Sequence, residues 1–147
     1  MSFKSSYSLT EARLSQSIFG DITFMGLRSA IGVIFIVHGM GKLNEGFLGF
    51  LTGAVGFPAE MQIPIALAEI VPGILLIIGV LTRISSSLLA IIGLGAIFHV
   101  KHAANLTGQG AYEIDLILLA ANLVIITMGP GRISISHIAK KIPRFLQ

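Results

Sequence analysis

Five ionisable side chains interrupt long apolar runs of this chain, namely Arg28, His38, Glu69, His99 and Glu113. An ionisable group inside a hydrocarbon environment is costly, so such residues usually face the protein interior, where they pair, bind ligands or carry protons. Imidazole and carboxyl groups are the commonest general acids and bases in proteins. Proton exchange is therefore the first chemistry that these residues suggest.

The apolar runs cover residues 22–41, 62–81, 85–104 and 112–129. Each has close to the roughly 20 residues that cross a hydrocarbon core of about 30 Å. The chain has 54% hydrophobic and 12% charged residues and a mean hydropathy of +0.88, whereas soluble domains average about 25% charged residues. The sequence therefore predicts an all-α integral membrane protein, a four-helix transmembrane bundle.

We predict three regions: an N-terminal cytoplasmic or interfacial segment over residues 1–21, the four-helix transmembrane domain over 22–131, and a basic cytoplasmic tail over 132–147. In the first region, Ser8 and Glu11 have the spacing of a helix capping box. This spacing is compatible with a short amphipathic helix on the membrane surface. An ordinary frayed terminus is the alternative.

The basic residues outside the runs are distributed unequally between the two sides of the predicted bundle. Lys42 falls on one side, and the other side has Lys4, Arg13, Arg83, Arg132, Lys140, Lys141 and Arg144. The positive-inside rule then predicts a multi-pass protein of the cell membrane with both termini cytoplasmic. The net charge of +3 is better explained by this topology, and by contact with anionic lipid, than by a nucleic-acid partner.

The chain has no cysteine. Thiolate nucleophiles, cysteine-ligated clusters and disulfides are therefore excluded from it, and redox chemistry would need a bound cofactor.

With this topology, six polar residues from all four predicted helices fall in the outer half of the membrane. They are His38, Lys42, Glu69, His99, His102 and Glu113. The cluster can be a polar network that holds the bundle together, a pocket for a small redox molecule such as quinone, or a metal site. Only His99 and His102 have a local spacing typical of metal ligands, so no metal is predicted.

Two further placements follow from helical geometry. Glu113 and Asp115 lie about 200° apart on a helix, so only one can face the interior. We predict that Glu113 does, because it shares a face with Ala120 and Ala121. Residues 44–61 alternate glycine with phenylalanine and are too apolar for a solvated loop, which predicts a half-buried segment that roofs a cavity.

Several short motifs occur in an order that resembles one family. They are Arg28 with Gly32, His38-Gly39-Met40-Gly41-Lys42, Glu69 with Gly73, Gly79 before Thr82-Arg83, the polar segment with His102 and Glu113, and Gly129-Pro130-Gly131-Arg132-Ile133-Ser134. Across residues 26–134 the chain resembles the DoxX family of small four-helix membrane proteins. That family includes DoxD-like subunits associated with archaeal terminal quinol oxidase and with thiosulfate:quinone oxidoreductase. Ser136 departs from the pattern, where an acidic residue is expected.

The resemblance implies a membrane-bound redox role with quinone as the electron acceptor. The leading hypothesis is a small subunit of a membrane oxidoreductase that binds or abuts quinone through the outer polar cluster. In it, Glu69 and His99 exchange protons with the quinone oxygens, whereas His38, Lys42, His102 and Glu113 bind the cofactor.

Two other hypotheses belong to different classes. The first is a non-catalytic accessory subunit that packs against a larger membrane complex and uses the same residues only to hold its helices together. The second is a small-solute or proton transporter, which the lack of a visible repeat of broken helices disfavours. The expected partners are membrane lipid and either other membrane subunits or further copies of this chain.

Overall fold

The computed structural model describes residues 18–138, and the regular elements of this part of the chain are helices. They are α1 (Ile18–Gly41), α2 (Glu45–Phe50), α3 (Gln62–Ile78), α4 (Thr82–Gly95), α5 (Glu113–Met128) and α6 (Ile135–Ile138). A π-helical turn, Leu51–Val55, follows α2, a second one, Ala96–Val100, follows α4, and a 3-10 turn, Ala59–Met61, precedes α3. The predicted N-terminal amphipathic helix and most of the basic tail lie outside the described residues.

Four of the helices close into a ring in which α1 packs against α3, α3 against α4, α4 against α5, and α5 against α1. The predicted all-α membrane bundle is confirmed. Three helical stretches, Ile18–Gly41, Ala59–Ile78 and Thr82–Val100, are long and apolar enough to cross a membrane. α5 has 16 residues, about 24 Å of helix, and a bilayer can thin locally around a helix of this length.

The buried core lies along the centre of this ring. Its apolar members come from all four long helices and are Phe24, Ile31, Phe35, Leu76, Leu89, Leu118 and Ile125.

Helices α3 and α4 begin or end at other residues than the predicted apolar runs, and left-handed backbone conformations mark these positions. Gly79, with φ of 73°, ends α3 and donates its N–H to carbonyls of the preceding turn. α4 then begins at Thr82, earlier than predicted, after a link of three residues. At its other end, His102 and Ala103 have φ of 51° and 50°, so the helix stops at Val100 and does not continue to residue 104.

Glycines bring α1 and α3 into backbone contact. A Cβ atom added to Gly32 would lie 2.5 Å from the carbonyl oxygen of Gly73, and one added to Gly39 would lie 2.7 Å from that of Ala66. Small residues at a membrane helix interface allow this close approach, and dispersion contacts between the backbones then stabilise the pair. Ala66 and Gly73 are buried on the same helix as Glu69 and give α3 a small face towards α1.

We call the end of the bundle with residues 42–61 and 101–112 the cavity end, and the end with residues 79–81 and 129–138 the tail end. At the tail end, Arg28 is only 1% exposed and donates hydrogen bonds to the carbonyl oxygens of Pro130 and Ile133. The N–H of Ser136 donates to Gly79 O at 3.2 Å. The segment after α5 is therefore folded back onto the ends of α1 and α3.

The contact between α1 and α3 generates a first prediction. Gly32→Ala places a methyl group 2.5 Å from a backbone oxygen, and the helices must separate to accommodate it. We expect a loss of about 1–3 kcal/mol in the free energy of unfolding, measured in lipid bicelles. Gly26→Ala is the matched control, since a Cβ there meets nothing within 4 Å. Equal stabilities of the two variants would contradict the close packing.

Candidate functional site

A cavity of about 480 Å³ lies at the cavity end. It is bounded by the segment after α1, by α3 and by α4 with its π-helical turn, and it is lined by Lys42, Phe47, Phe50, Leu51, Val55, Phe57, Ile65, Glu69, Ile92, Gly95, Ala96, His99 and Val100. Three of these residues, Lys42, Glu69 and His99, are titratable, and the remaining walls are apolar. Its size falls within the roughly 300–1,000 Å³ typical of sites for small organic molecules. We call it the large cavity.

Hydrogen bonds fix the segment between α1 and α3 over this cavity. The side-chain oxygen of Asn44 accepts a hydrogen bond from Phe47 N at 2.8 Å and so caps α2. The side-chain amide of Gln62, at the start of α3, donates to the carbonyl oxygens of Lys42 and Asn44, both at 2.9 Å. The two ends of the segment are thereby tied together, and its phenylalanines cover the cavity as a roof.

Both π-helical turns of the described chain border the large cavity, Leu51–Val55 from the roof and Ala96–Val100 from α4. The wider turn of a π-helix shifts side chains from their α-helical positions, and such turns are frequent at functional sites. Across the cavity, the ring of Phe57 stacks on that of His99 at 5.5 Å between centroids and 22° between planes. His99 is thus held at the cavity wall by an aromatic contact.

The charged part of the wall is an ion pair between α3 and the residue that follows α1. Lys42 Nζ lies 2.6 Å from both carboxylate oxygens of Glu69. The side chains are 21% and 4% exposed, respectively. Because a buried carboxylate is costly without a partner, Lys42 is what allows Glu69 to be charged at this depth.

A second cavity of about 70 Å³, which we call the small cavity, lies between the four long helices. Its lining residues are Phe35, His38, Lys42, Glu69, Ile92, Gly93, Ala96, Asp115 and Leu118. Lys42 and Glu69 also line the large cavity. The ion pair therefore forms part of the wall of both cavities.

The predicted site residues separate into two groups. Lys42, Glu69 and His99 come together at the large cavity, and His38 joins the first two at the small cavity, where its ring meets Phe35 edge-on at 6.4 Å. His102 is exposed and lines neither cavity. Its left-handed backbone lies beyond the last helical residue, Val100, so His102 does not continue the helix that carries His99.

The predicted inward orientation of Glu113 is wrong. Glu113 is exposed at the start of α5, and Asp115 lines the small cavity in its place. The buried residues of α5 are Leu118, Asn122 and Ile125, and Asp115 lies one turn before the first of them on the same face. The spacing of Glu113 with alanines was a weaker signal than the spacing of Asp115 with bulky apolar residues, because bulky buried residues determine which face of α5 packs.

Sequence reasoning missed the partner of Asp115. Lys101 Nζ lies 2.6 Å from its Oδ2 and 2.8 Å from the carbonyl oxygen of Ala111. The spacing of Asp115 with the buried stripe of α5 was a usable signal for its orientation. No sequence signal indicated the contact of Asp115 with Lys101, because this contact joins two elements across an irregular loop.

This arrangement can hydrogen-bond a carbonyl or hydroxyl oxygen at one wall of an otherwise apolar space. A carboxylate, an ammonium group and an imidazole line that space, and two of these groups are common proton donors and acceptors. Within residues 18–138, no three His, Cys, Asp or Glu side chains are grouped as metal ligands.

Comparison with known proteins gives one family and two relatives. The model of the DoxX family matches residues 23–102. A Bacillus subtilis (strain 168) protein named "Putative oxidoreductase CatD" is 37% identical over 107 residues, which cover 71% of this chain and 79% of that protein. A Haemophilus influenzae protein named "Uncharacterized protein" is 29% identical over 136 residues, which cover 86% and 89% of the two chains. No solved structure matches significantly.

The ion pair generates a second prediction. Lys42→Met leaves the Glu69 carboxylate buried without its partner, and we expect the free energy of unfolding to fall by about 3 kcal/mol. Lys42→Met combined with Glu69→Leu should recover most of that loss, because both charges are then removed.

The pair between Lys101 and Asp115 is the control, since its side chains are more exposed, at 30% and 17%. Lys101→Met should cost about 1 kcal/mol or less. A loss from Lys42→Met that the second substitution does not restore would contradict the role given to the ion pair.

Proposed function

Because this chain belongs to the DoxX family of membrane proteins, we propose that it is a small subunit of a membrane oxidoreductase and binds quinone in the large cavity. The observation that carries this proposal is an apolar cavity of about 480 Å³ with Lys42, Glu69 and His99 in its wall. The name of the Bacillus subtilis relative supports an oxidoreductase role.

The cavity fits the chemistry of a quinone head group, a planar ring with two carbonyl oxygens. Phe47, Phe50 and Phe57 give the cavity aromatic walls, and offset or edge-on contacts between rings are favourable. The titratable residues supply hydrogen-bond donors and acceptors for the oxygens. Bound quinone would supply the capacity to accept two electrons and two protons.

The residues of this chain then have separate roles. Glu69 and His99 hold and move protons at the cavity wall, where each is in reach of a ligand that fills the space. Lys42 keeps the Glu69 carboxylate in place through both of its oxygens and puts a positive charge where reduction adds negative charge. His38 lines the small cavity together with the ion pair, and His102 and Glu113 are left out of the proposed site.

One observation favours a second candidate, the non-catalytic accessory subunit. Lys42 contacts both oxygens of Glu69 at 2.6 Å, which is also the geometry of an ion pair that only holds two helices together. In that case the chain would pack against a larger membrane complex, and the protonation of Glu69 would not matter to turnover.

Quinone binding can be tested on the gently purified protein by measuring the quinone in its extracted lipid. Gly95 lines the large cavity, and a Cβ there meets nothing within 4 Å, so Gly95→Phe should place a ring in the space that the quinone head group needs. We expect its quinone content to fall about tenfold or more, the equivalent of at least about 1.4 kcal/mol of binding free energy.

Leu94→Phe is the matched control, since Leu94 is 42% exposed and is not among the residues that line the large cavity. Its quinone content should equal that of the original protein. Equal quinone in the two variants, or none in the original protein, would refute quinone binding in this cavity.

Glu69→Gln separates proton chemistry from structural support. Glutamine keeps the size and most of the hydrogen bonding of glutamate but has no titratable proton. We expect the complex to assemble and its quinone-linked turnover to fall about 100-fold, as is typical when a general acid or base is lost. Glu60→Gln, in the exposed connection before α3, should leave turnover unchanged. Normal turnover by assembled Glu69→Gln would favour the accessory subunit.

A further inference from the structure

The small cavity shares the ion pair of Lys42 and Glu69 with the proposed quinone site. Lys42 and Glu69 line both spaces, so a proton on Glu69 has access to the small cavity as well as to a ligand. A group that exchanges protons with a ligand in an apolar cavity also needs a route to bulk water. Beyond the ion pair itself, the lining of the large cavity offers one titratable residue for such a route, His99.

The small cavity has the size and the lining of a water site. Its volume of about 70 Å³ exceeds several-fold the roughly 10–15 Å³ that one water molecule needs, and a buried water needs two to four polar partners. The lining supplies His38 and Lys42 from the side of α1, Glu69 from α3 and Asp115 from α5. The lining residues of α4 are not titratable.

Two of these groups lead towards the surface at the cavity end. His38 is exposed and lies three residues before the end of α1. Asp115 is the third residue of α5, and its side chain is 17% exposed. Its contact with Lys101 at 2.6 Å joins it to the loop that covers this end of the bundle.

We infer that the small cavity is a water-filled passage through which Glu69 exchanges protons with the surface at the cavity end, with Asp115 and His38 as its outer polar groups. The inference deepens the proposed function, because it supplies the proton route that the quinone site requires. Asp115 becomes a positioning residue that orders this water and does not touch the ligand.

Solid-state NMR of the protein in lipid vesicles tests the passage through the rate of magnetisation transfer from water to carboxyl carbons. The chain has seven Asp and Glu residues, so labelled carboxyl signals can be assigned by single substitutions. Gly95→Phe is used as the background, because its ring occupies part of the large cavity and so lowers the contribution of that space to the access of water to Glu69. We expect the transfer rate at Glu69 to approach that at Glu60, an exposed residue.

Adding Gly93→Val should lower the transfer rate at Glu69 several-fold. Gly93 lines the small cavity, and the nearest atoms to an added Cβ are 4.0 Å away, so the Cβ of the valine meets only ordinary contacts. Gly26→Val in the same background is the control and should leave the rate unchanged, since Gly26 has open space around it.

Transfer to Glu69 as slow as transfer to lipid-facing methyl groups would overturn the passage, and so would equal rates with and without Gly93→Val. The measurement uses no quinone. Slow transfer to Glu69 therefore refutes the water-filled passage and leaves quinone binding intact. Fast transfer to Glu69 in a protein that binds no quinone refutes only the proposed function.

Discussion

Lys42 and Glu69 face each other in a bundle whose surroundings offer a carboxylate almost no solvation. The Glu69 side chain is 4% exposed, and an unpaired charge at that depth costs several kcal/mol. Their 2.6 Å contact requires α1 and α3 to lie close together, which the glycine contacts of Gly32 and Gly39 permit. The pair, the close helix packing and the position of the two cavities thus depend on one another.

Arg28 is a second buried charge that needs polar partners, and at the tail end these partners are backbone carbonyls. It is 1% exposed, and its hydrogen bonds go to the carbonyl oxygens of Pro130 and Ile133. These carbonyls follow the C-terminus of α5, where the helix dipole favours a positive charge. Neutral carbonyl oxygens therefore stabilise the guanidinium here, in place of a carboxylate.

The fold and part of the site could be predicted because they follow from periodicity and from the cost of charge in an apolar medium. Glu69 interrupts an apolar run, so it had to face the protein interior and a partner there. The orientation of α5 was predicted wrongly, since the buried stripe that includes Leu118 and Asn122 places Asp115 inside. The left-handed backbone at His102 and the π-helical turns have no local sequence signal, so the histidine pair could not be separated in advance.

The geometry of the ion pair also lets Lys42 interact with groups in both the large and the small cavity. An ammonium group has three N–H donors, and the contacts with the two oxygens of Glu69 use two of them. The third can be directed to an acceptor in the large cavity, where the ring of Phe47 already lies 5.7 Å from Nζ. An oxygen of a ligand in that cavity would accept this third N–H without displacing the Glu69 carboxylate. The same ammonium group can thus hold the carboxylate that borders the small cavity and still face the interior of the large one.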